Sequence, residues 1–313
     1  MSATLIAVIF ALALGHLAPA LATAVRQYDW YRVWLTWLDA RFPEGENLWR
    51  GRYGVLFAVL PPLLPVMLFQ IALYTPLAGV VGLLFGMAAL FYVWGPRDLD
   101  QDVSILVDSE EVESRRASAS RLGLNDDVAM ADGGAMVEAV FGSALRRWFG
   151  VLFWFLLLGA SGAVLYRLVQ LAAEGDAVEG DAVEGGVAER LPASTRDGAR
   201  ALLALLDWPV AQLMTLSLAL VGNFDTVIGA WKDADGARFQ RGHAFLAAVA
   251  RASVRCEVAE EAHDLIEEGN APGNAWAQLG ELPELRDAMS LVWRILLLWL
   301  AIVALFVVAG WVS

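Results

Sequence analysis

The 313-residue chain has one cysteine, Cys256, one lysine, Lys232, and three histidines. A lone thiol excludes an internal disulfide framework. Zinc sites draw His and Cys from close pairs, and His16, His243 and His263 stand far apart, so no metal centre is expected. The lysine lies in WKDADG rather than behind a glycine-rich run, which removes a Walker A loop, and no GxGxxG is present. Cys256 has no neighbour that would make it a nucleophile and reads as a packing residue. Charge is scarce too, at 18% of residues against about 25% in an ordinary domain. The net charge of −13 opposes binding to nucleic-acid phosphates.

What the chain has is apolar surface: 58% of residues are hydrophobic and the mean hydropathy is +0.55. Such a composition excludes a disordered chain and a simple soluble enzyme. The apolar residues fall in blocks, and crossing about 30 Å of hydrocarbon takes about 20 of them in a helix. Ala3–Ala24, Tyr53–Leu73, Leu77–Trp94, Trp148–Ala172 and Ala288–Val312 qualify. Ala201–Val221 is weaker, because it holds Asp207, Pro209 and Gln212, and either crosses or re-enters. Ala20-Leu21-Ala22 has the form of a signal-peptidase site, but no basic residue precedes Arg26, so 1–24 is read as a retained first span. The fold class expected is all-α, a polytopic membrane protein of five or six spans with amphipathic and cytoplasmic helices.

The basic residues suggest an orientation. Segments 25–52, 95–147, 173–200 and 222–287 carry five, six, three and six of them, and the Tyr74–Pro76 turn carries none. Basic loops stay in the cytoplasm. The expected arrangement therefore puts 25–52, 95–147 and 222–287 inside, with 173–200 outside after a straight crossing at 148–172. Residues 25–52 read as an amphipathic interfacial loop with Tyr28, Tyr31, Trp34, Leu35 and Leu38 at helical spacing. The hairpin of spans is 53–94. Residues 95–147 are a polar cytoplasmic segment. Residues 173–200 form an acidic mobile loop containing the duplication EGDAV-EGDAV over 174–186, expected to be dispensable. A crossing or re-entrant segment at 201–230, a cytoplasmic helical module at 231–287 and the last span at 288–313 complete the division.

Charges at membrane edges are costly unless paired, which makes them functional candidates. Arg97, Asp98 and Asp102 follow the third span, Glu138 precedes the fourth, Asp207 opens the sixth candidate, and Asp225 closes it. Arg97, Asp98, Glu138, Asp207 and Asp225 are expected to converge on one cavity near the cytoplasmic face, with Asp207 the least secure member. Arg167 and Arg294 are read as snorkelling to the interface.

Several stretches resemble the AmpE family of inner-membrane proteins, modulators of β-lactamase induction: LALGHLAP at 12–19, YDWYRVWLTWLDAR at 28–41, WGPRDLDQDV at 94–103, VLFWFLLLGASGAVLYRLVQ at 151–170, LDWPVAQLMTLSLALVGNFD at 206–225 and ELPELRDAMSLVWR at 281–294. That family is in turn similar to the CbiB/CobD membrane enzymes of cobalamin synthesis, whose pattern is roughly VESVAENTxDGxxAPLFW followed by GAxxYR. Here VEAVFGSALRRWFGVLFW at 137–154 and GAVLYR at 162–167 keep Glu138, Phe153, Trp154, Gly162, Tyr166 and Arg167. Gly142 stands for the second glutamate, Ser143 for the asparagine, Arg146-Arg147 for Asp-Gly, Val151 for the proline, and Gln212 for a later arginine. An aspartate exchanged for arginine reverses charge where phosphate or metal would be handled. The resemblance implies an inner-membrane sensor or signalling modulator tied to β-lactamase induction and cell-wall recycling, with cobinamide chemistry lost. Its partners would be membrane lipids and a cell-wall-derived ligand or envelope protein. The alternative is a membrane enzyme on a cell-wall or lipid-linked substrate, built on Asp98, Asp102, Glu138 and Asp225. No cofactor is named by the sequence.

Overall fold

The computed structural model describes residues 28–42, 48–73, 79–94, 99–109, 111–124, 132–174, 191–240, 242–280 and 282–309. The protein is an all-α polytopic membrane protein, with no strand among the described residues. Helix α1 is Asp29–Arg41, α2 is Gly54–Ala72, and α3 is Gly79–Val93. Two short helices follow, α4 at Leu99–Asp108 and α5 at Val112–Arg121. Helix α6, Gly133–Ala144, runs through a π turn at Leu145–Phe149 into α7, Gly150–Leu158, and α8 is Ala160–Glu174. The chain ends with α9 at Ala193–Val221, α10 at Phe224–Asp233, α11 at Ala244–Glu267, α12 at Pro272–Gln278 and α13 at Pro283–Val308.

Among the described residues four helical runs are long and apolar enough to cross a membrane: Gly54–Ala72, Gly133–Leu158, Ala193–Val221 and Pro283–Val308, with Val80–Val93 a shorter apolar helix. The expected first span over 1–24 lies outside the described residues. Pro61, Pro62 and Pro65 leave α2 unbroken, and Pro209 leaves α9 unbroken. A helix tolerates such prolines where neighbours satisfy the freed carbonyls. Trp34 Nε1 does so for Ala58, donating to its carbonyl at 3.1 Å.

The chain divides into two compact units, one of residues 1–98, 146–207 and 303–313, the other of 99–145 and 208–302. The centre of the first unit is α8, which packs against α2, α3 and α7. Eleven of its fifteen residues are buried, including Tyr166, Arg167 and Gln170. Helix α1 covers one flank through Tyr31, Leu35 and Leu38, and the Tyr31 hydroxyl donates to the Leu168 carbonyl. Its outer side leaves Trp30, Val33 and Trp37 exposed, as suits a helix at the interface. The hydroxyls of Ser194 and Thr195 donate to the carbonyls of Arg50 and Trp49, tying the start of α9 to the turn before α2. Gly54 and Gly198 allow that approach, since a Cβ on either would strike a backbone carbonyl.

The expected straight crossing over 148–172 is replaced by a helical hairpin. Gly159 adopts φ +71, a left-handed value that ends α7. The chain then folds back, with Tyr166 filling the space beside Gly150 and the Trp154 backbone filling the space beside Gly162. At the mouth of the hairpin Arg146 pairs with Glu174 at 2.8 Å. The two ends of the hairpin therefore lie together, and 148–172 is two helices rather than the single straight helix expected. Hydropathy gave one apolar block here because a turn made of Gly159, Ala160, Ser161 and Gly162 is as apolar as the helices it joins. Residues 28–52 sit at that end too, because the Tyr28 hydroxyl donates to the carbonyl of Tyr92 near the end of α3. The duplication lies outside the described residues apart from its first residue, Glu174, which pairs with Arg146.

In the second unit α11 is the spine, packing against α6, α10 and α12. It buries Phe245, Leu246, Val249, Ala250, Val254 and Val258. Helix α13 is fixed by indole hydrogen bonds: Trp293 donates to Asp100 at 3.1 Å and Trp299 to the Ser217 hydroxyl at 2.9 Å.

Two outcomes follow from the hairpin. Reporter fusions at Asn125 and Glu184 will give the same compartment, and opposite signals would mean that 148–172 crosses straight. Gly150→Leu will lower the midpoint of thermal unfolding in detergent by several degrees, an overpacking cost of about 1–3 kcal/mol, because the Tyr166 ring occupies that space. Gly82→Ala, whose new methyl would lie 3.6 Å from its nearest neighbour, will unfold like the parent protein.

Candidate functional site

The hairpin brings polar side chains to the middle of the first unit. The Tyr166 hydroxyl donates to Asp207 Oδ1 at 2.6 Å, with both side chains buried. A hydrogen bond to a buried carboxylate contributes about 1.5–3 kcal/mol, because the alternative leaves a charge without a partner. Trp154 Nε1 reaches the Leu206 carbonyl at 3.3 Å, so the residue before Asp207 is held as well. Arg167 is 2% exposed. Its Nη1 donates to Gln170 Oε1 at 2.7 Å, its Nε donates to the Tyr28 hydroxyl at 3.3 Å, and its guanidinium lies 5.7 Å from the Tyr28 ring centre. Arg167 therefore points into the protein, which corrects the snorkelling expectation: a guanidinium can be buried when planar partners meet its fork and an aromatic face lies alongside.

The residues singled out from the sequence divide between the two units and the segments outside the described residues. Arg97 and Asp98 lie outside the described residues. Asp207 belongs to the first unit, and the segment carrying it is unbroken helix. Asp102, Glu138 and Asp225 belong to the second. Asp102 is buried on α4 and pairs with Arg121 of α5 at 3.6 Å. Glu138 is half exposed on α6 and faces Arg251 of α11 at 3.6 Å. Asp225 is exposed in the first turn of α10, next to the cap in which Asn223 accepts from the Thr226 amide. A carboxylate there interacts favourably with the helix dipole.

Sequence reasoning missed Tyr28, Gln170 and the pairing of Arg146 with Glu174. The available signal was the spacing of Tyr166, Arg167 and Gln170 within an apolar block, since polar groups there must find partners inside the protein. Arg294 also has a partner, donating to both oxygens of Glu257 at 3.0 and 3.3 Å. Burial raises the Glu257 carboxyl above its usual range, and Arg294 pulls it back. Cys256 is only partly buried. Its thiol donates to Glu260 at 3.3 Å and is pushed up by burial and that bond, which keeps it protonated. Among the described residues no group of three or more His, Cys, Asp or Glu could hold a metal ion.

The residues that the chain keeps from the GAxxYR and LFW patterns thus have packing and anchoring roles in the hairpin. The sequence is 32% identical over 135 residues to the cobalamin biosynthesis protein CobD of Chromobacterium violaceum, a stretch covering 41% of this chain and 42% of that protein. The chain thus aligns with less than half the length of this curated relative. No family model matches, and no solved structure matches.

The Tyr166–Asp207 contact is testable as a pair. Tyr166→Phe and Asp207→Asn will each destabilise the detergent-solubilised protein, and the double variant will lose about as much as one single. Strictly additive losses would show that the two side chains do not act together.

Proposed function

We propose that the chain is an inner-membrane sensor or signalling modulator linked to β-lactamase induction and cell-wall recycling, on a scaffold related to the membrane enzymes of cobalamin synthesis but without their cobinamide chemistry. The observation that carries this reading is how the shared motif divides. Its retained members other than Glu138 hold the hairpin together: Trp154 binds the Leu206 carbonyl, Gly162 admits the backbone of Trp154, and Tyr166 is bound to Asp207. Its exchanged members are those suited to a charged substrate: Gly142 and Ser143 replace acid and amide, and Arg146 and Arg147 replace Asp-Gly. Arg146 is engaged with Glu174 at 2.8 Å. A scaffold that keeps Trp154, Gly162 and Tyr166 while two of its three acidic positions are exchanged suits ligand-dependent signalling better than amide-bond synthesis, which needs groups to position a phosphate or metal. The similarity to CobD supports the scaffold and leaves the chemistry open.

The experiment has two arms. In a host with an inducible β-lactamase, deleting the gene will change induction by a cell-wall antibiotic, and the intact gene will restore it. In a strain lacking cobinamide-phosphate synthase, the same gene will not restore cobalamin synthesis. Restored synthesis together with unchanged induction would overturn the proposal.

A further inference from the structure

Helix α1 carries a groove along its outer side that the proposed signalling role does not use. Among the described residues it is lined by Asp29, Arg32, Val33, Thr36, Trp37 and Ala40, and its volume is about 540 Å3, within the range of small-ligand sites. Residues three and four apart share a helix face, so these six form one stripe, about 16 Å long at 1.5 Å per residue. The groove lies at the level of lipid headgroups. The Tyr28 hydroxyl, just before α1, donates to the Tyr92 carbonyl near the end of α3, and Trp34 donates to the Ala58 carbonyl in the second turn of α2. Both α2 and α3 are apolar helices, and the first turns of α2 leave Leu56, Phe57 and Leu60 exposed. A helix set where such helices begin and end meets headgroups on its outer side.

The lining selects a kind of headgroup. It holds one carboxylate and one guanidinium, Asp29 and Arg32, which are paired with each other across one turn. Their side chains are 62% and 31% exposed. An ion pair that open to solvent is worth about 0–1 kcal/mol, so it exchanges readily for the charges of an incoming molecule. A simple anion would meet Asp29, and a simple cation would meet Arg32. A headgroup with a phosphate and an ammonium satisfies both. The arginine fork matches phosphate oxygens, and a primary ammonium brings N–H donors that a carboxylate accepts. A quaternary ammonium has no such donor. Trp37 completes the site: it stacks on Trp34 with ring centres 5.2 Å apart, which fixes its ring, and it remains 54% exposed. Its face attracts an ammonium, and with Val33 it gives the glycerol and upper acyl carbons an apolar ledge.

We propose that the groove on the outer side of α1 binds a phospholipid whose headgroup joins a phosphate to a primary ammonium, with the phosphate on Arg32 and the ammonium between Asp29 and the Trp37 ring. The failure of this site would leave the proposed signalling role untouched. The test offers the full-length protein in detergent equal amounts of phosphatidylethanolamine, phosphatidylcholine and phosphatidylglycerol with identical acyl chains. Native mass spectrometry then counts the lipid that each molecule retains. Phosphatidylethanolamine will be retained about fivefold over either competitor, the worth of one exposed charged contact. Asp29→Asn leaves the lining net positive, so it will lower retention of phosphatidylethanolamine and raise that of phosphatidylglycerol. Arg32→Gln will lower retention of all three. Arg41→Gln, on the same helix but outside the lining, will keep the parent order. The three variants will unfold within a few degrees of the parent protein, which keeps loss of lipid apart from loss of fold. Equal retention of the three lipids by the parent protein, or the parent order persisting in Asp29→Asn, would overturn the proposal.

Discussion

A hairpin that turns among apolar helices must satisfy its own backbone, and the first unit is organised around that requirement. A helix leaves its last carbonyls and first amides unpaired, and a turn between two helices puts both sets in one place. Hydrocarbon offers neither donor nor acceptor, so each unsatisfied group costs several kcal/mol there. One side chain resolves both deficits. Gln70, near the end of α2, donates from Nε2 to the Leu158 carbonyl at 2.9 Å and accepts at Oε1 from the Ser161 amide at 2.8 Å. The Ser161 hydroxyl adds a bond to the same carbonyl at 3.0 Å. Gln70 also crowds Gly159, where a Cβ would be 2.7 Å from Nε2. Glycine is thus required twice at this position, for its φ and for its missing side chain. The amide that closes the turn also fixes the level at which α2 meets the hairpin.

Once the hairpin exists, α8 lies in the interior and its polar residues must be partnered there. Polar groups in such a setting stabilise little by themselves but are expensive to leave alone. Tyr166 and Asp207 serve one another, and Arg167 is shared between Tyr28 and Gln170. Each of these contacts joins α8 to a different segment or to itself one turn on. A shift of the hairpin along its axis would break them together, so the network selects one register among several that apolar packing alone would accept. Arg146 and Glu174 make the same selection at the mouth, where partial solvent exposure reduces the worth of the pair.

The sequence exposed the helices well and their directions poorly. Apolar runs gave α2, α3 and the core of α13 to within a few residues, because membrane helices are long and hydropathy averages over them. The same averaging hid the hairpin: nothing in the block from Trp148 to Ala172 is polar enough to announce a turn, and only Gly159 and Gly162, three apart, hint at it. The reverse failure concerns proline. Pro209 reads as a break and proves to be interior helix, since a membrane helix can spare one donor when its neighbours meet the freed carbonyl. Among candidate site residues, sequence found Asp207 by its cost in an apolar segment but not Tyr166, whose hydroxyl is legible only once two distant helices are side by side. Asp102 and Glu138 were found as charges, and their partners Arg121 and Arg251 come from helices whose faces hydropathy does not orient.

Gly150, Trp154, Gly162 and Tyr166 show how closely the two arms of the hairpin are fitted. Gly162 cannot accept a side chain without striking the backbone of Trp154, and Gly150 cannot accept one without displacing Tyr166. Changing any one of them obliges a neighbour on the opposite arm to change too, so single steps are penalised through packing. Gly142, Ser143 and Arg146 are only partly buried, whereas Arg147 is 3% exposed. Gly142 has only the His243 ring at 3.4 Å beside it, a neighbour on another helix, and Arg146 finds its partner at the solvent-facing mouth. The hairpin therefore tolerates a new side chain at Gly142 more readily than at Gly150 or Gly162, where it would meet the opposite arm.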